Sequence, residues 1–526
     1  MNLRIFKNLL YCSLLTILSL AVGCSRNAPQ KNSKSQILRI NFFATAVSFH
    51  PHLVRVIAGA TLCKSLYEGL TRINPERKIE LATAKKVEVS PCKKIYTFTL
   101  RDTKWSNGEK VTSYHFANTW KMALDPKIGR CFHINKLLII KNAKKVSKGE
   151  LPIEELGIHT PDEKTLVVEL EAPLPYFLEL ASDVSFLPIY ETNYNLQTIF
   201  NGPFVLKSYE AEKFLSLVPN KFYWDRSAVK LNEIQISFIK DEKTAFSLYE
   251  MGEFDWAGSP YCDIPKEMLD KIQNIKHYNT TSPFWIFLNT KDPMLKSAKI
   301  RKALSYAVDR SEIVKGVSLY QKELNSIIPN EISTLEEEYY IKNFTIENAK
   351  ALFEEGLKDL GINKEDFTFI LTHSNYPEHE SIAVYLKHNW EKVFGIKVPL
   401  RKYDWPIFTT KTRNGDFAAG GFYLCNLSDD PSYLLEGIAN GEGYFSTWSN
   451  ESFKELIQKS KYALNETDRR KYLREAEKIL MDEMPICPIY IVNNVFTCKK
   501  ELKNFYPPRK NSSDFKWAYF DYQEKK

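Results

Sequence analysis

From Ile95 to Leu100 the chain reads IYTFTL, alternating apolar and polar side chains with the period of a half-buried strand. Ser106-Asn107-Gly108 is turn-forming, the glycine supplying a positive φ. Tyr114, Ala117, Trp120 and Leu124 then recur at helical spacing, so a helix is predicted over 113–124, ended by Asp125-Pro126. KTLVVELEAP (164–173) closes this region as a hairpin-like pair. GPFVLKSYEAEKFLSLVPN (202–220) reads as two more strands, and a short helix is expected near 244–252, stopping at Gly252. SPFWIFLNT (282–290) is apolar on both faces, as a buried strand requires. Ile300, Ala303, Leu304 and Ala307 form a stripe that predicts an amphipathic helix over 297–317. Another is expected over 346–362, stopped at Gly361. FTFILTHS then reads as a strand and SIAVYLKHNWEKVFG as a helix. Thr467 is the expected cap of a helix carrying Tyr472, Leu473, Ala476, Ile479 and Leu480 on one face. PICPIYIVNNVFTC (485–498) returns as a strand. Strands alternate with helices, which indicates a mixed α/β architecture.

The first thirty residues follow a different rule. Arg4 and Lys7 precede an apolar stretch from Leu9 to Gly23, which is short for a bilayer span of ~20 residues but suits an export signal. Cys24 follows at once, and Ser25–Gln36 is polar. The arrangement resembles the bacterial lipoprotein box: cleavage before Cys24, acyl chains on that cysteine, residues 1–23 removed, and 24–36 left as a tether. Ala21 stands where that box usually has Leu, with Leu20 one step earlier. No later run approaches eighteen apolar residues. At 526 residues the chain is too long for a single core, and two or more lobes are expected. The net charge of +8 is spread over mixed-sign segments, and no basic block asks for nucleic acid.

Of nine cysteines, Cys12 lies in the signal and Cys24 at its end. The other seven, Cys63, Cys92, Cys131, Cys262, Cys425, Cys487 and Cys498, are odd in number and far apart, which is no disulfide framework, and no C-x-x-C points to zinc. H-E-x-x-H, G-x-S-x-G, the Walker A pattern and G-x-G-x-x-G are absent. HPH (50–52) and LSDDPSY (427–433) read as turns rather than as a metal site or a carboxylate pair. No metal, no cofactor and no enzymatic activity is expected.

SLYEGL, YTFTLRDTKWSNGEKVTSYHFANTW, LPYF, NGPFVLKSYE with NKFYWD, MGEFDWAG, IRKALSYAVDR, FGIKVPLRKYDWPIF and FSTWSNESFKELI occur in that order. Together, from about Ile37 to the final strands, they resemble the solute-binding proteins of oligopeptide ABC importers, the large peptide/nickel-binding family. The resemblance implies an α/β, two-lobed periplasmic-binding-protein clamshell, class II-like and large, with an extra small domain. Lobe I would comprise 37–62, 175–283 and 488–526, the small domain 63–174, and lobe III 284–487, with crossings near Pro283 and Pro488. It implies a monomeric, exported receptor, lipid-anchored in the cell envelope, that captures oligopeptides and hands them to a permease and ATPase complex.

The resemblance also implies site residues. Arg55, Val56 and Ile57 on one side and Tyr423, Leu424 and Cys425 on the other would pair with the peptide main chain as edge strands. Trp405, Phe284 and Trp285 would line pockets, His379 would meet the ligand carboxylate with Arg413 near the same end, and Asn201 occupies the NG turn of the pattern. Leu427 stands where the family usually has the Asp that holds the peptide ammonium. Asp429 or Asp430 is the candidate substitute, and His50 replaces an acidic turn residue. These departures leave other ligands open on the same fold (a muropeptide, a dipeptide, haem or a nickel chelate), as well as a surface lipoprotein for peptide sensing or adhesion.

Overall fold

The computed structural model describes residues 36–43, 48–129, 131, 133–191, 193–194, 197–269, 271–317, 320–341, 346–424, 428–441, 447–463, 465–505 and 513–522. The signal, Cys24, most of the tether, Cys425 and Leu427 lie outside the described residues. Three larger sheets organise the chain. In the first, Ile37–Asn41 runs parallel to Glu233–Ser237, which pairs antiparallel with Phe214–Pro219 and through it with Phe204–Glu210. In the second, the order is Ala84–Val89, Ile95–Leu100, Thr165–Glu169, Ile158–Asp162. Helix Ser113–Leu124 lies against its last two strands. The third has seven strands: Trp256–Gly258, Ile486–Cys498, Lys276–Leu288, Ala419–Tyr423, Leu371–Ser374 and Leu400–Tyr403 in that order, with Lys322–Glu323 added on Ile486–Cys498.

Lys276–Leu288 and Ile486–Cys498 are antiparallel partners, with Pro283 opposite Ile491 and Trp285 opposite Pro488. Register shifts between Asn279 and Pro283, and between Phe284 and Trp285, bend the ribbon there. Its outer end carries Trp256–Gly258 and its inner end carries Ala419–Tyr423, so one ribbon takes a further strand at each end. The run at 284–288 is apolar throughout because both of its faces are covered. Phe284, Ile286 and Leu288 enter one core cluster, and Trp285 and Phe287 enter another on the opposite face. Gly420 and Gly421 let the neighbouring strand approach. A Cβ at Gly421 would lie 2.6 Å from the Trp285 carbonyl oxygen, and one at Gly420 the same distance from Thr372 Oγ1.

A single buried cluster unites Leu38 and Ile40 of the first sheet with Phe98 and Trp120 of the second and with Phe515 near the end of the chain. A buried ionic knot ties that last segment down. Arg72 donates to Glu68 at 2.9 Å and to Asp514 at 2.5 Å, and Lys516 lies 2.9 Å from Asp225. Among the described residues no helix is long and apolar enough to cross a membrane.

Several elements differ from expectation. The helix expected over 297–317 runs only from Ala298 to Tyr306; Asp309 then caps a new turn, and Ile313–Val317 is a π-helical turn. The Arg310 guanidinium turns inward onto the carbonyls of Leu324 and Pro488, 2.9 and 2.8 Å away. The last long helix, Glu466–Glu483, is capped by Asn465, whose side chain accepts from Asp468 N, and not by Thr467.

Candidate functional site

The ladder between Leu371–Ser374 and Ala419–Tyr423 spans two residue pairs, Leu371 with Ala419 and Thr372 with Gly420. Beyond them Leu371–Ser374 continues beside Leu400–Tyr403, while Gly421–Tyr423 continues beside Lys276–Leu288 alone. The sheet therefore splits beyond Gly420.

Aromatic rings gather at the split. Trp405 opens the helix Trp405–Arg413, with Pro406 in its first turn, where the missing proline N–H costs nothing. Its half-buried ring stands edge-on to Phe422 at 5.9 Å and stacks on Phe408 at 5.9 Å. Tyr376, 49 % exposed, lies 5.4 Å from it and His379 5.9 Å. Phe284 meets His379 edge-on at 5.4 Å and stacks on Tyr490 at 4.9 Å. Tyr423, opposite Phe284 in the ladder, is 47 % exposed. His379 is buried, with Nδ1 2.8 Å from Ser374 Oγ. Burial, with a smaller contribution from neighbouring His373, brings its pKa down to about 4. At neutral pH it offers a ligand carboxylate a hydrogen bond rather than a positive charge.

Phe284, His379, Trp405 and Tyr423 are thus brought together, and other expected residues are placed elsewhere. Trp285 is fully buried on the opposite face of its strand, edge-on to Phe287, and is core rather than pocket. Leu424 spends its N–H on the Pro283 carbonyl at 2.9 Å. Arg413 stands exposed at the far end of the helix that Trp405 begins, about 12 Å along its axis. Near the first sheet, Arg55 and Val56 are exposed, but Val56 caps the helix Ile57–Leu66. The expected edge strand is replaced there by extended backbone running straight into a helix. Ile57, its first residue, packs against the first core cluster. Asn201 is buried and clamps the main chain of Glu68, accepting from its N–H at 3.0 Å and donating to its carbonyl at 2.9 Å. That is a framework role.

Asp430, the candidate substitute for the acid expected at 427, is already engaged through one oxygen, which accepts from Arg469 at 2.6 Å and from the N–H of Ser432 at 2.9 Å. Asp429 is exposed. His50 and His52 form a turn in which His50 Nδ1 accepts from His52 N at 3.1 Å, and burial lowers their pKa values to about 4 and about 3. Sequence reasoning missed Tyr376 and Phe422. The signal was there for Tyr376, an aromatic residue just before the proline that opens the helix Pro377–Phe394.

Comparison with known proteins agrees with this architecture. The family model described as bacterial extracellular solute-binding proteins, family 5 Middle, matches residues 78–446. The oligopeptide-binding protein OppA of Bacillus subtilis (strain 168) is 32% identical over 518 residues, covering 94% of this chain and 95% of that protein. The crystal structure of the substrate-binding domain of an oligopeptide ABC transporter from Bacillus anthracis str. Ames superposes with a TM-score of 0.75 at 27% identity, over 93% of this chain and 99% of that one. The murein tripeptide binding protein MppA of Escherichia coli superposes with a TM-score of 0.77 at 25% identity, over 93% and 99%. With its two-lobed α/β fold, this chain belongs to the bacterial extracellular solute-binding proteins of family 5.

Proposed function

We propose that this protein is the capture component of an ABC importer for oligopeptides. It closes two lobes over an extended guest, grips it mainly by its main chain, and delivers it to a permease and ATPase complex. The observation that carries this reading is the aromatic wall of Trp405, Tyr376 and His379 where the seven-stranded sheet splits, in a chain 32% identical to an oligopeptide-binding protein over nearly its whole length. Every residue except proline offers the same N–H and C=O, so an edge that adds a guest strand binds without regard to sequence. A micromolar affinity corresponds to about −8.2 kcal/mol. A few main-chain hydrogen bonds at roughly 0.5–1.5 kcal/mol each, with ring contacts beside them, reach that range.

On this reading the guest lies between Arg55–Ile57 and Tyr423–Cys425, and Trp405, Tyr376 and neutral His379 form one wall of a side-chain pocket. The lobes are 37–62 with 175–283 and 488–526, and 284–487, hinged at Pro283 and Pro488, with 63–174 as the accessory domain. Cys24 carries the lipid that holds the monomer at the membrane, and the polar stretch behind it keeps the lobes near their permease at a raised effective concentration.

Native mass spectrometry of freshly purified protein tests both parts. A ladder of bound peptides of mixed mass is expected, on a chain that begins at Cys24 and carries acyl mass. One bound non-peptide species would overturn the peptide reading, and an unacylated chain would overturn the anchor.

A further inference from the structure

Away from the hinge ribbon, two segments of different lobes touch. Leu174, Tyr176, Phe177 and Leu180 belong to the first core cluster, and Leu434, Leu435 and Ile438 of helix Ser432–Ala439 belong to a core cluster of the other lobe. Between them Tyr433 packs against both clusters, and its ring meets Tyr176 edge-on at 5.8 Å. Beside this pair Ser428, fully buried, donates from Oγ to Glu179 Oε2 at 2.8 Å.

The serine side of the contact is built in advance. Asp430 N donates to Ser428 Oγ at 3.1 Å, fixing the hydroxyl that reaches across. Asp430 is itself held by Arg469 and by the N–H and hydroxyl of Ser432. A chain of partners thus runs from Arg469 in one lobe to Glu179 in the other, and only its last link crosses between them. Apart from the ribbon, these two segments share no sheet among the described residues, so rotation of one lobe against the other breaks this link.

We propose that Tyr176 and Glu179 on one lobe and Ser428 and Tyr433 on the other form a latch that holds this protein closed, independently of what occupies its cleft. A hydrogen bond to a charged acceptor with an edge-on ring pair beside it shifts the closed-to-open ratio by about tenfold or more. A latch made only of protein groups acts before a guest arrives and after it is bound. It therefore raises the closed population of the empty protein and lengthens the residence of any guest.

The test is single-molecule FRET on the full chain, with dyes attached through unnatural amino acids at exposed Met251 and Tyr462, one on each lobe, and no peptide added. Glu179→Ala and Tyr433→Ala should each raise the open-to-closed ratio about tenfold, and Glu179→Gln, which keeps an acceptor for Ser428, should stay within about threefold of the parent. Because Ser428 donates directly to Glu179, Glu179→Ala with Ser428→Ala should open the protein less than the sum of the two single effects. Unfolding midpoints unchanged in all variants complete the expected result. Ratios equal to the parent's, additive effects in the double variant, or a parent that is mostly open would overturn the latch. Adding a tryptic casein digest separates this from the transport reading: a digest that leaves every histogram unmoved counts against peptides as guests and leaves the latch standing.

Discussion

Trp405 carries more of the proposed site than any other residue, because its ring touches Tyr376, His379, Phe408 and Phe422 and still presents a face to solvent. Truncating a central aromatic anchor costs ~2 kcal/mol or more of binding. Trp405→Ala should therefore weaken peptide affinity at least about thirtyfold in calorimetry, with the fold kept. His379 gives a second prediction. Its folded pKa of about 4 lies below the ordinary 6.5, so the unfolded chain binds its proton first as pH falls. The stability that neutral His379 contributes is whole above pH 6.5 and is lost as pH drops toward 4, about 3 kcal/mol in all. Buried His50, also near 4, and His52, near 3, add to the same trend. The unfolding midpoint should fall steeply between pH 6.5 and 4, and His379→Gln should flatten the slope. Residue types were the part of the site most legible in the sequence; their orientation was not. Phe284 and Trp285 are adjacent, both aromatic and both buried, and only the pleat decides that Phe284 meets His379 while Trp285 enters the core cluster of the opposite face.

Periodicity located most strands and helices, since each presents one apolar face to a core. It failed where a side chain overrides the pattern. The apolar stripe around Ile300 continues through Val308, yet the helix stops because Asp309 restarts the backbone and Arg310 finds its carbonyl partners inside. Val56 and Ile57 look like strand residues, but small and slim residues after them (Ala58, Gly59, Ala60) favour packing as a buried helix. The split sheet could not be read at all, because strand order is a property of pairing rather than of any one segment. Gly421 gives this scale its prediction. With the Trp285 carbonyl 2.6 Å from where a Cβ would sit, Gly421→Ala must push Ala419–Tyr423 off Lys276–Leu288. Such overpacking costs ~1–3 kcal/mol. The variant should unfold at a lower temperature and lose peptide affinity together.

At the scale of the molecule, the proposed lobes share the antiparallel ribbon of Lys276–Leu288 and Ile486–Cys498 and, among the described residues, also meet at Tyr176, Glu179, Ser428 and Tyr433. The ordered set of stretches made the fold class legible, because spacing over hundreds of residues is hard to match by chance. Contacts between lobes were not legible, since nothing in LPYF or LSDDPSY announces its partner. The central claim is that the guest is held by its main chain, and calorimetry on matched tetrapeptides tests it most directly. N-methylating alternate amides of tetra-alanine should weaken binding tenfold or more, because each lost N–H leaves a protein carbonyl unpaired. Exchanging the alanines for Lys, Glu or Phe should change affinity less than that. Side-chain exchanges that outweigh N-methylation would contradict the account.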